Sequence, residues 1–480
     1  MTSTLCQFGQ FCISKDCPFQ HSYSFKLEDY QPPKQPRMTI DLPCYLAEWK
    51  YLERAILNIK TIEDLQKYMA SIFTNEKDKR EKKICIKTFP SFKNLNEKEK
   101  NIVQNELIPL CKEMIINHQN ILLPPPVILY KEGKVMFTRK QSLCVISCLL
   151  FGLYSIKLRK DERKFNGYSQ FPFFLFCEDS VSITMTQCII HYFHLIFKEV
   201  SNDKFMNEII EIERHSSQLS LKELLNSNKK IIPGDVDNIH GIMEINETEN
   251  LKADFANKYI GGGVLHGGCV QEEIMFMECP EMFVSMITNP VMDDQTTILF
   301  KNIIRYVKLE GYGRRIKFSK EFEQLISNNI VALDALVAYV NPSEQYNERQ
   351  TIRELNKIFS GVKCLSEEDH LIPFISGKWG CGVFGGDWRY KYLLQTIICS
   401  FVERPFIFTS FHDNEAQSEI EQFKTKIEND NPSIHDFILW LTSFCSNHEN
   451  LPYLLTSPTI PTASHPFKPQ EENNNKCTIV

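Results

Sequence analysis

Glycine is scarce in this chain, with only 19 among 480 residues. A site built on glycine loops must therefore concentrate them. Net positive charge is lacking too. The formal net charge of -6 leaves no global basic field to attract nucleic acid, so any such binding must be local. The start, "MTSTLCQFGQFC", has no basic region followed by an apolar core, which argues against a secretory signal. The apolar stretch "SLCVISCLLFGLYSI" (142–156) is too short to span a bilayer and reads as a buried core helix, so no transmembrane segment is expected. No internal repeat is found. What is present is ordinary globular material, 43% hydrophobic and 24% charged, in a chain long enough for two or three domains. The 17 cysteines are an odd number, and without a secretory signal they read as reduced thiols, some of them ligating metal. The expected compartment is the nucleus, the cytoplasm or both.

Texture along the chain suggests five segments. Residues 1–24 form a cysteine-rich module, and 25–39, with "DYQPPKQPRM", a proline-rich linker. Residues 40–229 are mainly helical by the three-to-four spacing of their apolar positions, as in "LAEWKYLERAILNI". Residues 230–455 alternate short apolar runs with glycine turns and helical segments, which predicts an α/β or α+β catalytic domain. Residues 456–480 are a polar tail.

The glycines gather in "GGGVLHGGCVQEE" (261–273), five of them within thirteen positions. A strand is predicted to end at Tyr259–Ile260 and run into Gly261, Gly262 and Gly263. Glycines bare the backbone N–H groups and permit positive φ, so an oxyanion can approach closely. Gln271, Glu272 and Glu273 then open a helix, where carboxylates suit the positive end of the dipole. Two adjacent carboxylates repel, so at least one should be harder to ionise, as a general acid requires near neutral pH. A turn followed by ordinary helix-starting glutamates would look the same, and this segment alone does not decide between them.

The longer string "DFANKYIGGGVLHGGCVQEEIMF" resembles the signature of poly(ADP-ribose) glycohydrolases, in which a glycine triplet is followed by Gln-Glu-Glu. "GKWGCGVFGGD" (377–387) resembles the second glycine loop of that family. "LEGYGRR", "IVALDAL", "RELNKIFSGV" and "ERPFIFTSFHD" resemble further segments in the right order, and "VMFTRKQSLCVISCLLFGL" resembles the start of a helical accessory region. The resemblance implies a macrodomain-like three-layer α/β/α core, a mainly helical N-terminal accessory region, and hydrolysis of ribose–ribose O-glycosidic bonds to release ADP-ribose. It implies Glu273 as the acid, Glu272 as the neighbour that positions ribose, and Asp254 and Asn257 as contacts to the terminal ribose that support the loop. Gly261, Gly262, Gly263 and Gln271 would meet the substrate. Tyr312 would stack on adenine, the amides of Gly380, Gly382, Gly385 and Gly386 would cradle the diphosphate, and Phe384 between them would be a lid on the ligand. Phe411 would orient the distal ribose, and Glu244 would contact adenine. No cofactor is required for such catalysis. Glycoside cleavage passes through an oxocarbenium-like state in which the leaving oxygen must be protonated. Whether the outcome is retaining or inverting stays open. His266 and Cys269 lie inside the loop, and the mechanism does not demand them.

"CQFGQFCISKDCPFQH" places Cys6, Cys12, Cys17 and His21 at the spacing C-x5-C-x4-C-x3-H. Three thiolates and an imidazole suit structural zinc, and so small a module would fold on the metal. The string resembles CCCH zinc fingers of the class that binds polyadenosine RNA, so RNA is an expected partner beside poly(ADP-ribose) and ADP-ribose. "CTIV" at the end fits a prenylation pattern with Cys477 as acceptor, although Val480 is not among the usual terminal residues. A monomer is expected. Two rival functions are a silent macrodomain that binds ADP-ribose without cutting it, and an RNA-binding protein. The two glutamates together argue against the silent reader.

Overall fold

The structure, a computed structural model, describes residues 39–40, 42–75, 90–154, 172–237, 250–322, 325–365, 371–445, 454–456 and 460. Cys6, Cys12, Cys17, His21, Glu244 and Cys477 lie outside these residues. The chain separates into two compact units, one within Met1–Ser216 and Asp254–Asp334, the other within Ser217–Ala253 and Ala335–Val480. Among the described residues the strands are β1 (Gly133–Thr138), β2 (Ile209–Ser216), β3 (Asp235–Asp237), β4 (Leu251–Asp254) and β5 (Thr296–Ile304). They continue with β6 (Val307–Glu310), β7 (Lys317–Glu321), β8 (Ser327–Ala332), β9 (Phe374–Gly377) and β10 (Phe406–Thr409).

In the first unit β1, β2, β5 and β8 pair in that order, every pairing antiparallel. Helical segments dominate residues 40–229 as the spacing predicts, but β1 and β2 are also there, and the helical reading missed them. Both strands bury alternate positions: Val135 and Phe137 in β1, Ile210 and Ile212 in β2. The stretch expected to be a core helix (142–156) is helical as far as Leu150 and turns over 151–154, and its last two positions lie outside the described residues. Helix Arg139–Leu150 starts on a reciprocal cap between Thr138 and Gln141, and it buries Leu143, Val145, Ile146 and Leu149. Arg139 at its start is fully buried, and its guanidinium is spent on Glu281, Glu208 and the Asn302 carbonyl. Helix Ser180–Glu199 is long and apolar enough to cross a bilayer by length and composition, yet 67% of its apolar window is buried against protein.

In the second unit β4, β9, β10 and β3 pair in that order, every pairing parallel. Helices Glu348–Val362, Trp388–Val402 and Asn414–Asp430 belong to this unit. Strands that alternate with helices, parallel in one unit and antiparallel in the other, make this a mixed α/β fold. "IVALDAL", "TTILFKNIIRYVKL" and "PFIFTSF" contain strands where the pattern placed them.

Candidate active site

The strand expected to reach Ile260 stops at Asp254. The Asp254 carbonyl accepts the Ala256 N–H at 2.8 Å, and the Asn257 side chain accepts the Tyr259 N–H at 3.0 Å. These two local turns divert the backbone from the sheet before the glycines begin. The Phe255 N–H, also freed from the sheet, donates to the Gln271 side-chain oxygen at 2.7 Å.

The glycine triplet does meet oxyanions, and they are the chain's own. Gly261 N–H donates to Glu272 Oε1 at 2.6 Å, and Gly263 N–H donates to Glu273 Oε1 at 2.9 Å. Gly262 N–H closes a turn on the Tyr259 carbonyl at 3.1 Å. The second oxygen of Glu272 takes the Asn257 N–H at 2.9 Å. The second oxygen of Glu273 takes the Val270 N–H at 2.9 Å, an N3 carboxylate reaching back to its helix cap. Helix Gln271–Glu278 thus begins with both glutamates gripped by main chain. Gly262 has φ +49°, and a Cβ built on it would lie 2.6 Å from an oxygen of each carboxylate. Gly262 is therefore glycine because the carboxylates press against it, whereas a Cβ on Gly261, at φ +87°, would meet Met286.

Asp254, Glu272 and Glu273 are all buried. Burial pushes the Glu272 carboxyl well up, and the charges of Asp254 and Glu273 add to this. The N–H donors from Asn257 and Gly261 oppose the shift without cancelling it. Asp254 is pushed well up by burial and then by Glu273, and neither of its carboxyl oxygens has a hydrogen-bond partner. A buried carboxyl without donors resists ionisation. His266 packs its ring on Phe173, with the centroids 4.8 Å apart. Burial and the charge of Glu273 push the Cys269 thiol up to about 12, which leaves it a poor nucleophile.

Tyr312 sits at the tip of the β6–β7 hairpin, between Gly311 at φ +84° and Gly313 at φ +57°. Its phenol hydrogen-bonds the Gln271 backbone, and burial followed by the charge of Glu273 pushes its pKa up. The Gly313 backbone reaches the Cys269 sulfur. The hairpin tip therefore rests on the glutamate loop.

In the second unit the loop after β9 is set by glycines of a different kind. Gly380 has φ +73°, and its Cβ would lie 2.4 Å from that of Ala335. Gly385 has φ +70°, with Tyr339 Cα 2.9 Å from where its Cβ would be. The N–H groups of Gly382, Val383 and Phe384 donate to no other described residue, and successive free amides of this kind suit an anion. The Phe384 carbonyl accepts the Ala338 N–H at 2.7 Å. Phe411 and His412 both have positive φ, +60° and +59°, and Phe411 is 45% exposed. Two consecutive non-glycine residues in this region are strained backbone of the sort found at ligand sites.

Sequence reasoning missed Lys391 and Glu354. They form a fully buried ion pair, and the ammonium also lies 4.4 Å from the Trp379 ring. A Cβ on Gly386 would lie 3.2 Å from Lys391 Cε, so the pair props the loop from beneath. The available signal was a lysine inside the apolar run "WRYKYLLQTIICSFVER".

Two family models match this chain. Residues 222–418 match "Poly (ADP-ribose) glycohydrolase (PARG), Macro domain fold", and residues 95–214 match the helical domain of the same family. Between them they account for well over half of the chain. The chain belongs to the poly(ADP-ribose) glycohydrolase family. Its matched core is a macrodomain fold, preceded by the family's helical region. Poly(ADP-ribose) glycohydrolase 2 of Caenorhabditis elegans is 34% identical over 221 residues, which is 42% of this chain and 45% of that protein. A probable poly(ADP-ribose) glycohydrolase 2 of Arabidopsis thaliana is 27% identical over 331 residues, 58% of this chain and 62% of that one. The chain thus spans less than two thirds of each relative. A solved Deinococcus radiodurans poly(ADP-ribose) glycohydrolase in complex with ADP-ribose is 14% identical, with a TM-score of 0.33, over 44% of this chain and 90% of that one. The glutamate loop (261–273) and the second loop (377–387) both lie inside the macrodomain match.

Proposed function

We propose that this protein hydrolyses the ribose–ribose O-glycosidic bonds of poly(ADP-ribose) and releases ADP-ribose. The observation that carries the reading is the pair Glu272–Glu273, buried side by side and each bonded to two backbone N–H groups. Two fixed carboxyls are the equipment for cleaving a glycosidic bond, and a silent reader of ADP-ribose has no need of them. In this reading Glu273 protonates the departing ribose oxygen and then takes a proton from water. Glu272 holds the ribose, and Asp254 and Asn257 support the loop at its entry. The triplet Gly261–Gly263 and Gln271 present a closely fitted wall to the sugar. Tyr312 stacks on the base. Gly382, Phe384 and Gly385 receive the diphosphate, and Phe411 orients the distal ribose. Glu244, assigned to adenine, is outside the described residues. The test of the activity is incubation with labelled polymer and detection of ADP-ribose; intact polymer with tightly bound ADP-ribose would favour the silent reader.

Gly382 gives a clean probe of the second loop. A Cβ there meets nothing within 4 Å, and its φ is ordinary. Gly382→Ala should therefore leave the melting temperature unchanged. If the diphosphate lies against this bare backbone, the added methyl should stand in its way and lower affinity for ADP-ribose about tenfold, roughly 1.4 kcal/mol. Calorimetric titration with ADP-ribose measures this, and unchanged affinity removes the loop from the site.

Zinc at the N-terminal finger is part of the same proposal. Cys6, Cys12, Cys17 and His21 are a donor set that structural zinc takes, and the aromatics between them suit stacked bases. The finger would hold adenine-rich RNA, or the polymer, beside the catalytic domain of a monomeric nuclear or cytoplasmic enzyme. Prenylation at Cys477 remains a separate proposal, settled by the intact mass of protein from its native cells. Removing residues 1–24 should weaken binding to RNA or to polymer without changing turnover of short substrates. Unchanged binding to both would exclude a targeting role.

A further inference from the structure

The tip of a two-stranded hairpin is an unusual support for a residue that must be placed within a fraction of an ångström. An isolated hairpin is marginally stable at best. The β6–β7 ladder has only four pairings and is interrupted between Lys308 and Leu309. Beside the Leu309 N–H bond to Glu278 at 2.9 Å and the contacts of its tip with the glutamate loop, one face of helix Ser180–Glu199 holds it. Ser180 Oγ donates to the Arg314 carbonyl at 2.9 Å, and Thr184 Oγ1 donates to the Ile316 carbonyl at 3.3 Å. Seven residues further along the same face His191 meets the base of the hairpin. Its ring stacks on Phe318 at 4.2 Å with an interplanar angle of 11°. Its Nδ1 lies 2.5 Å from Glu321 Oε1.

The other ring nitrogen, Nε2, faces Glu99 Oε1 at 3.7 Å. Glu99 is buried, fixed by the Asn96 N–H at 2.8 Å and by Gln187 at 2.9 Å. The remaining charges around this contact are Lys198, 3.8 Å from the second oxygen of Glu321, and His194, which pairs with Glu106 at 2.6 Å. Burial acts to raise the Glu99 and Glu321 carboxyls, but His191, together with the Asn96 and Gln187 donors at Glu99 and with Lys198 and His194 near Glu321, outweighs it and holds both below the usual range. A histidine between two carboxylates is a strong joint only while hydrogen bonds satisfy both sides. It links three elements: the 97–102 helix cap, the 180–199 helix and β7.

We propose that His191 is a positioning residue for substrate binding: it locks the β6–β7 hairpin to helix Ser180–Glu199 so that Tyr312 is held over the Glu272–Glu273 loop. The inference rests on the reading of Tyr312 as the stacking residue. His191 itself touches no reacting atom. Its effect belongs in the affinity for substrate and not in the chemical step, because Glu273 is held by separate donors, Gly263 and Val270.

The test compares His191→Phe, His191→Gln, Glu321→Gln, Tyr312→Ala and the double variant His191→Phe/Tyr312→Ala in the full chain. Steady-state cleavage of poly(ADP-ribose) and circular dichroism are measured for each. His191→Phe keeps a ring against Phe318 but removes the hydrogen bond. It should raise KM about tenfold with kcat at saturation unchanged, the scale of one charge-assisted hydrogen bond. His191→Gln, which keeps a donor, should recover most of that loss. Glu321→Gln reads the same joint from its partly exposed side and should raise KM several-fold, about the share of the bond its charge supplies. In the Tyr312→Ala background His191→Phe should add nothing, since residues acting through one another are not additive. A normal KM for folded His191→Phe and Glu321→Gln, with KM raised in Tyr312→Ala, overturns the inference alone. Effects that multiply in the double variant overturn it too. A normal KM for Tyr312→Ala overturns the stacking role, and this inference with it.

Discussion

Glu273→Gln is expected to reduce ADP-ribose release from polymer by about 10²–10⁴-fold, the usual contribution of a positioned general acid. Binding of ADP-ribose should remain measurable. The substitution preserves size but changes what the two backbone donors find. Glu273 accepts from Gly263 on one oxygen and from Val270 on the other. A glutamine offers one oxygen and one amide, so one N–H must face another N–H. That mismatch should cost about 1–3 kcal/mol of stability, the scale of an unsatisfied buried donor. A moderate fall in melting temperature should therefore accompany the loss of activity. Release is measured with labelled polymer at a temperature where the variant is folded. Substantial cleavage by folded Glu273→Gln would refute the assignment of the acid.

The second large effect is expected from a residue with no functional group at all. Gly262→Ala should remove activity about as completely as loss of Glu273, and should destabilise the protein by about 2–5 kcal/mol. Left-handed backbone costs an L-residue roughly 1–2 kcal/mol. Overpacking of a tight site adds about 1–3 kcal/mol. The added methyl would lie 2.6 Å from Glu272 Oε2 and from Glu273 Oε1, so neither carboxyl could keep its place. Gly382→Ala, which meets nothing, is the matched control for stability. Chemical denaturation and polymer cleavage together read the outcome. A stable, active Gly262→Ala would mean that the carboxyl pair is not held as described.

Much of this site was legible in the sequence because its parts are close in the chain. The spacing from Gly261 to Glu273 is short, and glycine followed by glutamate at a helix start has a direct physical meaning. The expectation that one of the paired carboxyls would resist ionisation is met by Glu272. The role of the triplet was only half legible. Bare amides pointed to an oxyanion, but nothing local said that the oxyanion would be supplied eleven residues later by the same chain. The end of β4 was misplaced for a similar reason. "LKADFANKYI" is apolar enough to continue as a strand, and it is the side chain of Asn257, not the hydrophobic pattern, that turns it. In β2 the alternation "IIEIERHS" was present and was passed over among helices. The strained pair Phe411–His412 and the buried Lys391–Glu354 pair depend on tertiary packing, and no periodicity announces them. His191 was visible only as one polar residue in an apolar helix, and its partners are 92 residues before and 130 after it in the chain.

The grip of the main chain on both glutamates bears on how such an enzyme can change over generations. Side-chain donors can be exchanged one substitution at a time, and each exchange adjusts the acidity of the group they hold. Here four amides do that work, from Asn257, Gly261, Gly263 and Val270, and an amide is the same whichever residue carries it. Single substitutions in the loop can break the grip but have little means of grading it. Variation among such proteins should therefore gather where side chains do the holding, in the hairpin of Tyr312, and leave the proton-handling centre as an all-or-none inheritance.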